Sequence, residues 1–464
     1  MALLCVFTIG AGLTVARLLP ERLALWKQPY IAARPLAGSS QVLSAATGAA
    51  STPPGITATG LAAALGSVVG SPAFGSHLGV LVSDLTTGRV LYARNAGSQF
   101  TPASTTKIAT ATAALQVLGP AAVFTTKVVT GGNSHAIVLV GGGDPTLAAG
   151  RPPASDYPQP ATLQSLAART VHALRERGVH SVHLGYDTSL YTGPGLARGW
   201  TQGYVTSGNV SEITPLEVDQ GRLTRSGKPE DADDPGNYLP RSPDPAAQAA
   251  QAFAAFLRAE GIAVRGQPAP ASTSAGAATL ATISSPPLSE IIQWMLEESN
   301  NVIAENVARH IALATGAVAS FTGAARAEEA VLRGLGVTGV TLNDGSGLSP
   351  DNRISPAALV QLIRLDASHA RLRSVLTGLP VYGFSGTLAK APSNLFFSGA
   401  GPGLGVVRAK TGNLTTVGDL TGVAYAKDGQ LLAFAVMADK FKNLSAEEPA
   451  MTRFANVLAG CGCR

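Results

Sequence analysis

Three short groups of residues in this chain have the types and spacing that covalent chemistry requires. The first is Ser104-Thr-Thr-Lys107, opening an Ala-, Leu- and Val-rich run that stops at Gly119-Pro120; the pattern predicts a helix over 104–118 with the serine in its first turn. First-turn N–H groups lack intrahelical acceptors and carry partial positive charge, so an alkoxide or tetrahedral oxyanion formed there is stabilised. Lys107, three residues on, shares the serine's helix face. A hydroxyl beside an amine is an activated nucleophile when the amine is neutral, and burial or a second nearby cation lowers a lysine pKa toward that state. Taken alone, the same residues also suit an N-cap serine and a solvated lysine.

The second group, Glu298-Ser-Asn-Asn301, interrupts two helical patterns. Ser299 or either asparagine could simply cap the helix beginning near Val302. The chemical alternative is a hydroxyl that relays a proton, Ser299, and an amide that donates and accepts at once, Asn301, presented from one short loop. The third group is Lys410-Thr411-Gly412, at the end of a β-branched run. In a strand Lys410 and Gly412 face the same way, and the missing side chain at Gly412 lets a ligand approach the backbone; an exposed lysine and a turn glycine are the plain alternative.

The elements that must position these groups are legible in outline. Helical patterns run over 56–69, 163–176, 246–260 and 289–298, and a hairpin turning at Thr86-Thr87-Gly88 precedes Ser104. A strand over 136–140 ends at Gly141-Gly-Gly-Asp-Pro145. Late in the chain, strands over 406–411, 420–426 and 431–437, the last two joined through Asp428-Gly429, lead to a closing helix over 451–458. Between 146 and 281 turn-rich stretches dominate, which points to a separate small domain or a set of insertions.

Length and composition bound the rest. The 464 residues suggest two or three domains, and 45% apolar but only 5% aromatic content means an interior of Ala, Val and Leu. The net charge of +5 is spread along the chain with no basic run interleaved with aromatics, so nothing supports a nucleic-acid partner and none is expected. Residues 2–16 are apolar and uncharged, short for a membrane span and closer to the core of a secretory signal. Residues 1–19 are therefore expected to be a signal peptide or membrane anchor, and 20–55, rich in Ala, Pro and Gly, a linker. The three cysteines, at 5, 461 and 463, lie away from His and acidic clusters, so neither a zinc site nor a thiol nucleophile is expected; Cys461 and Cys463 could pair, with strain.

Ser-x-x-Lys opening a helix, Ser-x-Asn between helices and Lys-Thr-Gly on a late strand form, in order, the set found in β-lactamases and penicillin-binding proteins. The chain resembles the class C penicillin-binding proteins, the D-alanyl-D-alanine carboxypeptidase/endopeptidase family. Gly141–Leu147, Asp344–Ser349 with Asn352, Phe384–Leu388 and the wide separation of Ser104 from Ser299 support that branch. Asn300 stands where Ser-Asp-Asn has Asp.

The resemblance implies an α/β (α+β) fold: a transpeptidase-like antiparallel sheet flanked by helices, an all-helical region, and a domain inserted between the first and second motifs. The expected parts are 56–140, an insert over 141–281, and 282–464. It further implies a penicillin-sensitive serine carboxypeptidase acting on peptidoglycan stem peptides, with endopeptidase action on cross-links and β-lactams as covalent inhibitors. Ser104 would attack the bond between two D-Ala residues with Lys107 as base. Ser299 and Lys410 would pass a proton to the departing amine, and Asn301 would bind the substrate peptide. The Lys410 strand would pair with that peptide, Thr411 would meet its carboxylate, and the N–H groups of Ser104 and Asn413 would form the oxyanion hole. Lys107 and Lys410, facing one cavity, are expected to depress each other's pKa. No metal or organic cofactor is implied. The protein is expected to be exported, touching a membrane only through its N-terminal segment. Two alternatives of the same fold are a serine β-lactamase, which needs a dedicated deacylation base, and a wall-binding protein without turnover.

Overall fold

A computed structural model describes residues 55–154, 157–223, 240–389 and 401–464. The apolar segment at 2–16 and the linker to residue 54 lie outside the described residues. Among those described, no helix is long and apolar enough to cross a membrane.

The organising layer is a five-stranded antiparallel sheet in the order Val407–Leu414, Val417–Tyr425, Leu431–Asp439, His77–Asp84, Val90–Arg94. It joins the hairpin before Ser104 to the three late strands, as the sequence leads one to expect. Alternation along the strands feeds two cores. Val80, Val82, Phe434 and Val436 pack under the helices Ala58–Val69 and Leu444–Gly460, whereas Leu81, Ala433, Ala435 and Met437 meet a helical region. The closing helix is longer than the expected 451–458 and runs through Pro449. Cys461 and Cys463 form a disulfide with Cα atoms 5.1 Å apart.

At the centre of the helical region is Thr106–Val117, ringed by Leu288–Glu297, Asn301–Ala314, Phe321–Gly334 and Pro356–Ser368. Residues 106–115 are buried on every face, which explains the run of Ala and Thr: only small side chains let neighbours approach from all sides. The buried hydroxyls are satisfied: Thr110 Oγ1 lies 2.8 Å from Glu328 Oε2 and 2.7 Å from the Gly345 carbonyl, and Thr112 Oγ1 2.9 Å from both Ile108 O and Asp366 Oδ1.

A second sheet departs from the expected boundaries. Thr125–Thr130 pairs with both Ala136–Val140 and Thr279–Ser284, and Ala136–Val140 runs parallel to Ser181–Asp187. The helices Leu163–Glu176 and Pro245–Ala259 share a separate core with this sheet. The switch between sheets therefore falls before residue 125, not after 140, and strand 279–284 straddles the other expected boundary. The strands at 125–130, 181–187 and 279–284 escape a period-based reading because they are short and flanked by polar turns. The intervening segment does not stay with this sheet: Ala197, Trp200, Val210 and Ile213 pack on Val302, Phe321 and Leu348 of the helical region.

Candidate active site

Ser104 occupies a 3-10 turn, Ala103–Thr105, that leads into the helix beginning at Thr106, one step before the expected α-helical first turn. It is the only one of residues 101–110 that is not buried. Ala103 just before it has φ +44°, a left-handed conformation that a side chain disfavours, and such strain concentrates where geometry is imposed by the surroundings. The imposing neighbour is the turn Asp344–Gly347. Gly347 has φ +88°, and a Cβ there would lie 1.7 Å from the Ala103 carbonyl oxygen, so only glycine fits.

Lys107 is fully buried and its Nζ meets three oxygens: Ser104 Oγ at 3.0 Å, Asn301 Oδ1 at 2.7 Å and the Ser346 carbonyl at 2.7 Å. Burial lowers its pKa to about 7, against the opposing pull of Asp344 and Glu305. Behind it, Asp344 accepts from the N–H groups of Gly347 and Ser349 and from Trp200 Nε1, while Glu305 accepts from those of Gly345 and Ser346. Burial and the nearby Asp344 raise Glu305 to about 7.

The second motif satisfies both of its sequence readings at once. Asn300 caps the helix Asn301–Ala314, accepting from Ile303 N at 3.0 Å, so the residue in the Asp position is the structural one. Its neighbours are thereby left for the site. Asn301 accepts from Lys107 through Oδ1 and donates through Nδ2 to the Asn209 carbonyl at 2.9 Å. Ser299 sits at φ +56°, and among the described residues its hydroxyl makes no hydrogen bond.

Lys410 lies on the edge strand of the five-stranded sheet, fully buried, donating to the Thr411 carbonyl at 3.0 Å. Its pKa is held well below the usual lysine value by burial first and by Lys107 second. Of the expected mutual depression, the Lys107 charge lowers Lys410, while burial is the main cause for both lysines. Gly412 has a packing role of its own: a Cβ there would lie 2.7 Å from the Pro102 carbonyl, so the glycine admits the Ser104 turn. Thr411 Oγ1 is 3.0 Å from Thr387 Oγ1.

Among the described residues the strand edge is paired only at one end, where Tyr382 N donates to Val407 O and Ala409 N to Pro380 O. Because backbone groups alternate in direction, the N–H groups of Thr411 and Asn413 point toward that same outer edge. Ser104, Lys107 and Asn301 are thus in direct contact, with Lys410 close enough for its charge to matter. Sequence reasoning did not find Glu305, Ser346 or Asn209 as participants. Asp344–Ser349 stood out only as a shared motif, and nothing in the local sequence marks Asn209, whose part is played by its backbone.

The comparisons agree with this geometry. The model of the D-Ala-D-Ala carboxypeptidase 3 (S13) family matches residues 61–240 and 227–458. The chain is 35% identical over 414 residues to carboxypeptidase DacB of Mycolicibacterium smegmatis, covering 88% of this chain and 85% of that one. It is 30% identical to the D-alanyl-D-alanine carboxypeptidase of an Actinomadura species, covering 87% and 84%. In fold it is similar to penicillin binding protein 4 of Haemophilus influenzae, with a TM-score of 0.67 at 20% identity, covering 86% of this chain and 100% of that one. On the family match and these relatives, with the Ser104–Lys107–Asn301 contact lying inside the matched residues, the chain belongs to the D-Ala-D-Ala carboxypeptidase 3 (S13) family of serine peptidases.

Proposed function

We propose that the protein is a penicillin-sensitive D-alanyl-D-alanine carboxypeptidase, with endopeptidase action on cross-links, that works through an acyl-enzyme on Ser104. One observation carries the assignment of roles: the hydrogen bonds of Lys107. A neutral amine has two N–H donors and one lone pair. With the donors directed to Asn301 Oδ1 and Ser346 O, the lone pair faces Ser104 Oγ at 3.0 Å, within reach for proton abstraction.

Ser104 Oγ then attacks the carbonyl carbon between the two D-Ala residues as its proton passes to Lys107. The oxyanion is received by the N–H groups of Ser104 and Asn413, the latter on the open strand edge. Collapse breaks the C–N bond, and the departing amine takes a proton relayed through Ser299, beside Lys410. Thr411 receives the terminal carboxylate, and the exposed edge of the Lys410 strand pairs with the stem peptide. Water hydrolyses the ester and frees the serine. A β-lactam enters by the same attack, its opened ring remaining on Ser104. Residues 1–19 and the linker to 55 support an exported protein on the wall side of the membrane, joined to it at most through the N-terminal segment.

Incubation with a fluorescent penicillin, mass mapping of the adduct and measurement of D-Ala release from a pentapeptide test this together. The expected result is a persistent adduct on Ser104, D-Ala release, and loss of both in Ser104→Ala. Labelling of Ser104→Ala at the parent level refutes the nucleophile, and rapid turnover of penicillin refutes the carboxypeptidase reading in favour of a β-lactamase.

A further inference from the structure

The base mechanism needs Lys107's two acceptors held still, and both trace back to one helix. Asn301 opens the helix Asn301–Ala314 and accepts directly from Lys107. Glu305, four residues on and therefore on the same face, reaches the other acceptor indirectly. Its Oε1 accepts from Gly345 N at 3.1 Å and Ser346 N at 2.8 Å, fixing the turn whose Ser346 carbonyl accepts from Lys107 at 2.7 Å. Glu305 is fully buried, and its Oε2 has no hydrogen-bond partner among the described residues. An apolar side chain would be the less costly occupant of such a site, unless the carboxylate's grip on the turn is required.

We propose that Glu305 is a positioning residue for Ser104 acylation: with Asn301 it ties both acceptors of Lys107 to a single rigid helix, so that the amine's remaining face is held on the serine. The inference rests on Lys107 being the base. It adds that the alignment of that base is set by Glu305 through the Ser346 carbonyl. Asp344 holds the far side of the turn through Gly347 N, at 2.8 Å.

The charges facing Lys107 are Glu305 from its helix, Asp344 from the turn and Lys410 from the edge strand. Those facing Glu305 include Asp344 and Arg309, whose guanidinium stacks 3.8 Å over the Phe321 ring. Glu328, from the next helix, lies in the same group. Glu305 and Lys107 titrate in the same range, and wherever Glu305 is ionised its charge favours protonated Lys107, so removing that charge while keeping an acceptor oxygen lets Lys107 lose its proton at lower pH.

The test is the rate of acylation by penicillin from pH 5 to 10 for the parent, Glu305→Gln, Glu305→Ala and Lys107→Arg, with thermal melts of each. Glu305→Gln is expected to move the lower limb of the profile to lower pH with a plateau within about threefold of the parent. Glu305→Ala is expected to lower acylation at pH 7 by at least about tenfold, with the non-covalent binding constant little changed. A residue that only supported packing would not move the limb. A limb left in place by Glu305→Gln overturns the proposal, and so does Glu305→Ala acylating within about twofold of the parent. If Glu305→Ala does not fold, the Glu305→Gln limb alone decides. Near-normal acylation by Lys107→Arg removes the base reading itself. An inactive Lys107→Arg beside parent-like Glu305 variants removes only the role given to Glu305.

Discussion

Burial is what would let Lys107 serve as the proposed base. An ordinary lysine, with a pKa near ~10.4, is almost wholly protonated at neutral pH. Here desolvation brings it to about 7 even though Asp344 and Glu305 pull the other way. The sign follows directly: the reactive form is neutral, so acylation should fall as pH drops through 7 and approach its plateau above it. Lys410 sits nearby with its pKa lowered by burial and by the Lys107 charge, two cations facing one cavity. Lys410→Gln is therefore expected to reduce acylation strongly and, because removing a neighbouring cation favours protonated Lys107, to move the lower limb to higher pH. The penicillin acylation rate against pH distinguishes the two effects, and an unshifted limb in Lys410→Gln would rule out coupling between the two lysines. Lys107→Arg should be nearly inactive across the range because a guanidinium stays charged.

Two elements meet at the serine with little tolerance. The Lys410 strand packs against the Ser104 turn at Gly412, and the Asn301 helix begins at a cap whose side chain also donates to Gln220 Oε1 at 2.7 Å. That cap lets the helix start where Asn301 can reach Lys107. Asn300→Ala removes the bond to Ile303 N and the bond to Gln220, and should cost about 1 kcal/mol for the cap and about 1 kcal/mol for the second bond. Asn300→Asp, which caps as well, should recover the first part. Urea unfolding of both variants measures this, and equal losses in the two would mean that the cap is not what Asn300 contributes.

For the whole molecule, the insert has two mechanical roles. One part builds the second sheet with its own core. The other returns to the catalytic region, where the Asn209 carbonyl meets Asn301, and Trp200 donates to Asp344 and packs edge-on against Phe321 with ring centroids 5.3 Å apart. Site geometry therefore depends on a segment roughly a hundred residues from the nearest motif. Trp200→Ala should lower stability by about 3–5 kcal/mol and slow acylation, because it opens a cavity and leaves Asp344 one donor short at the turn that carries Ser346. Thermal unfolding and the acylation rate, read together, check it; destabilisation with parent-like acylation at low temperature would show that the segment supports the fold but not the site.

The sequence by itself picked out Ser104 and Lys107, the loop of Ser299 and Asn301, the Lys410 strand and the sheet that carries it. Those features are local: a motif, a period or a turn is set by residues within a few positions of one another. It also carried the family, because three motifs in order are far more specific than any one. Only the tertiary structure decided what lies behind Lys107, since Glu305, Ser346 and Asn209 act through contacts between elements distant in the chain, two of them through backbone groups that every residue possesses. The same holds for Gly412, whose missing side chain is explained by the Pro102 carbonyl packed on it, and for the strands at 125–130 and 279–284, which become a sheet only when paired with each other. Burial decided the rest: the pKa values of Lys107 and Lys410 follow from how completely the fold removes water from two side chains whose sequence neighbours are unremarkable.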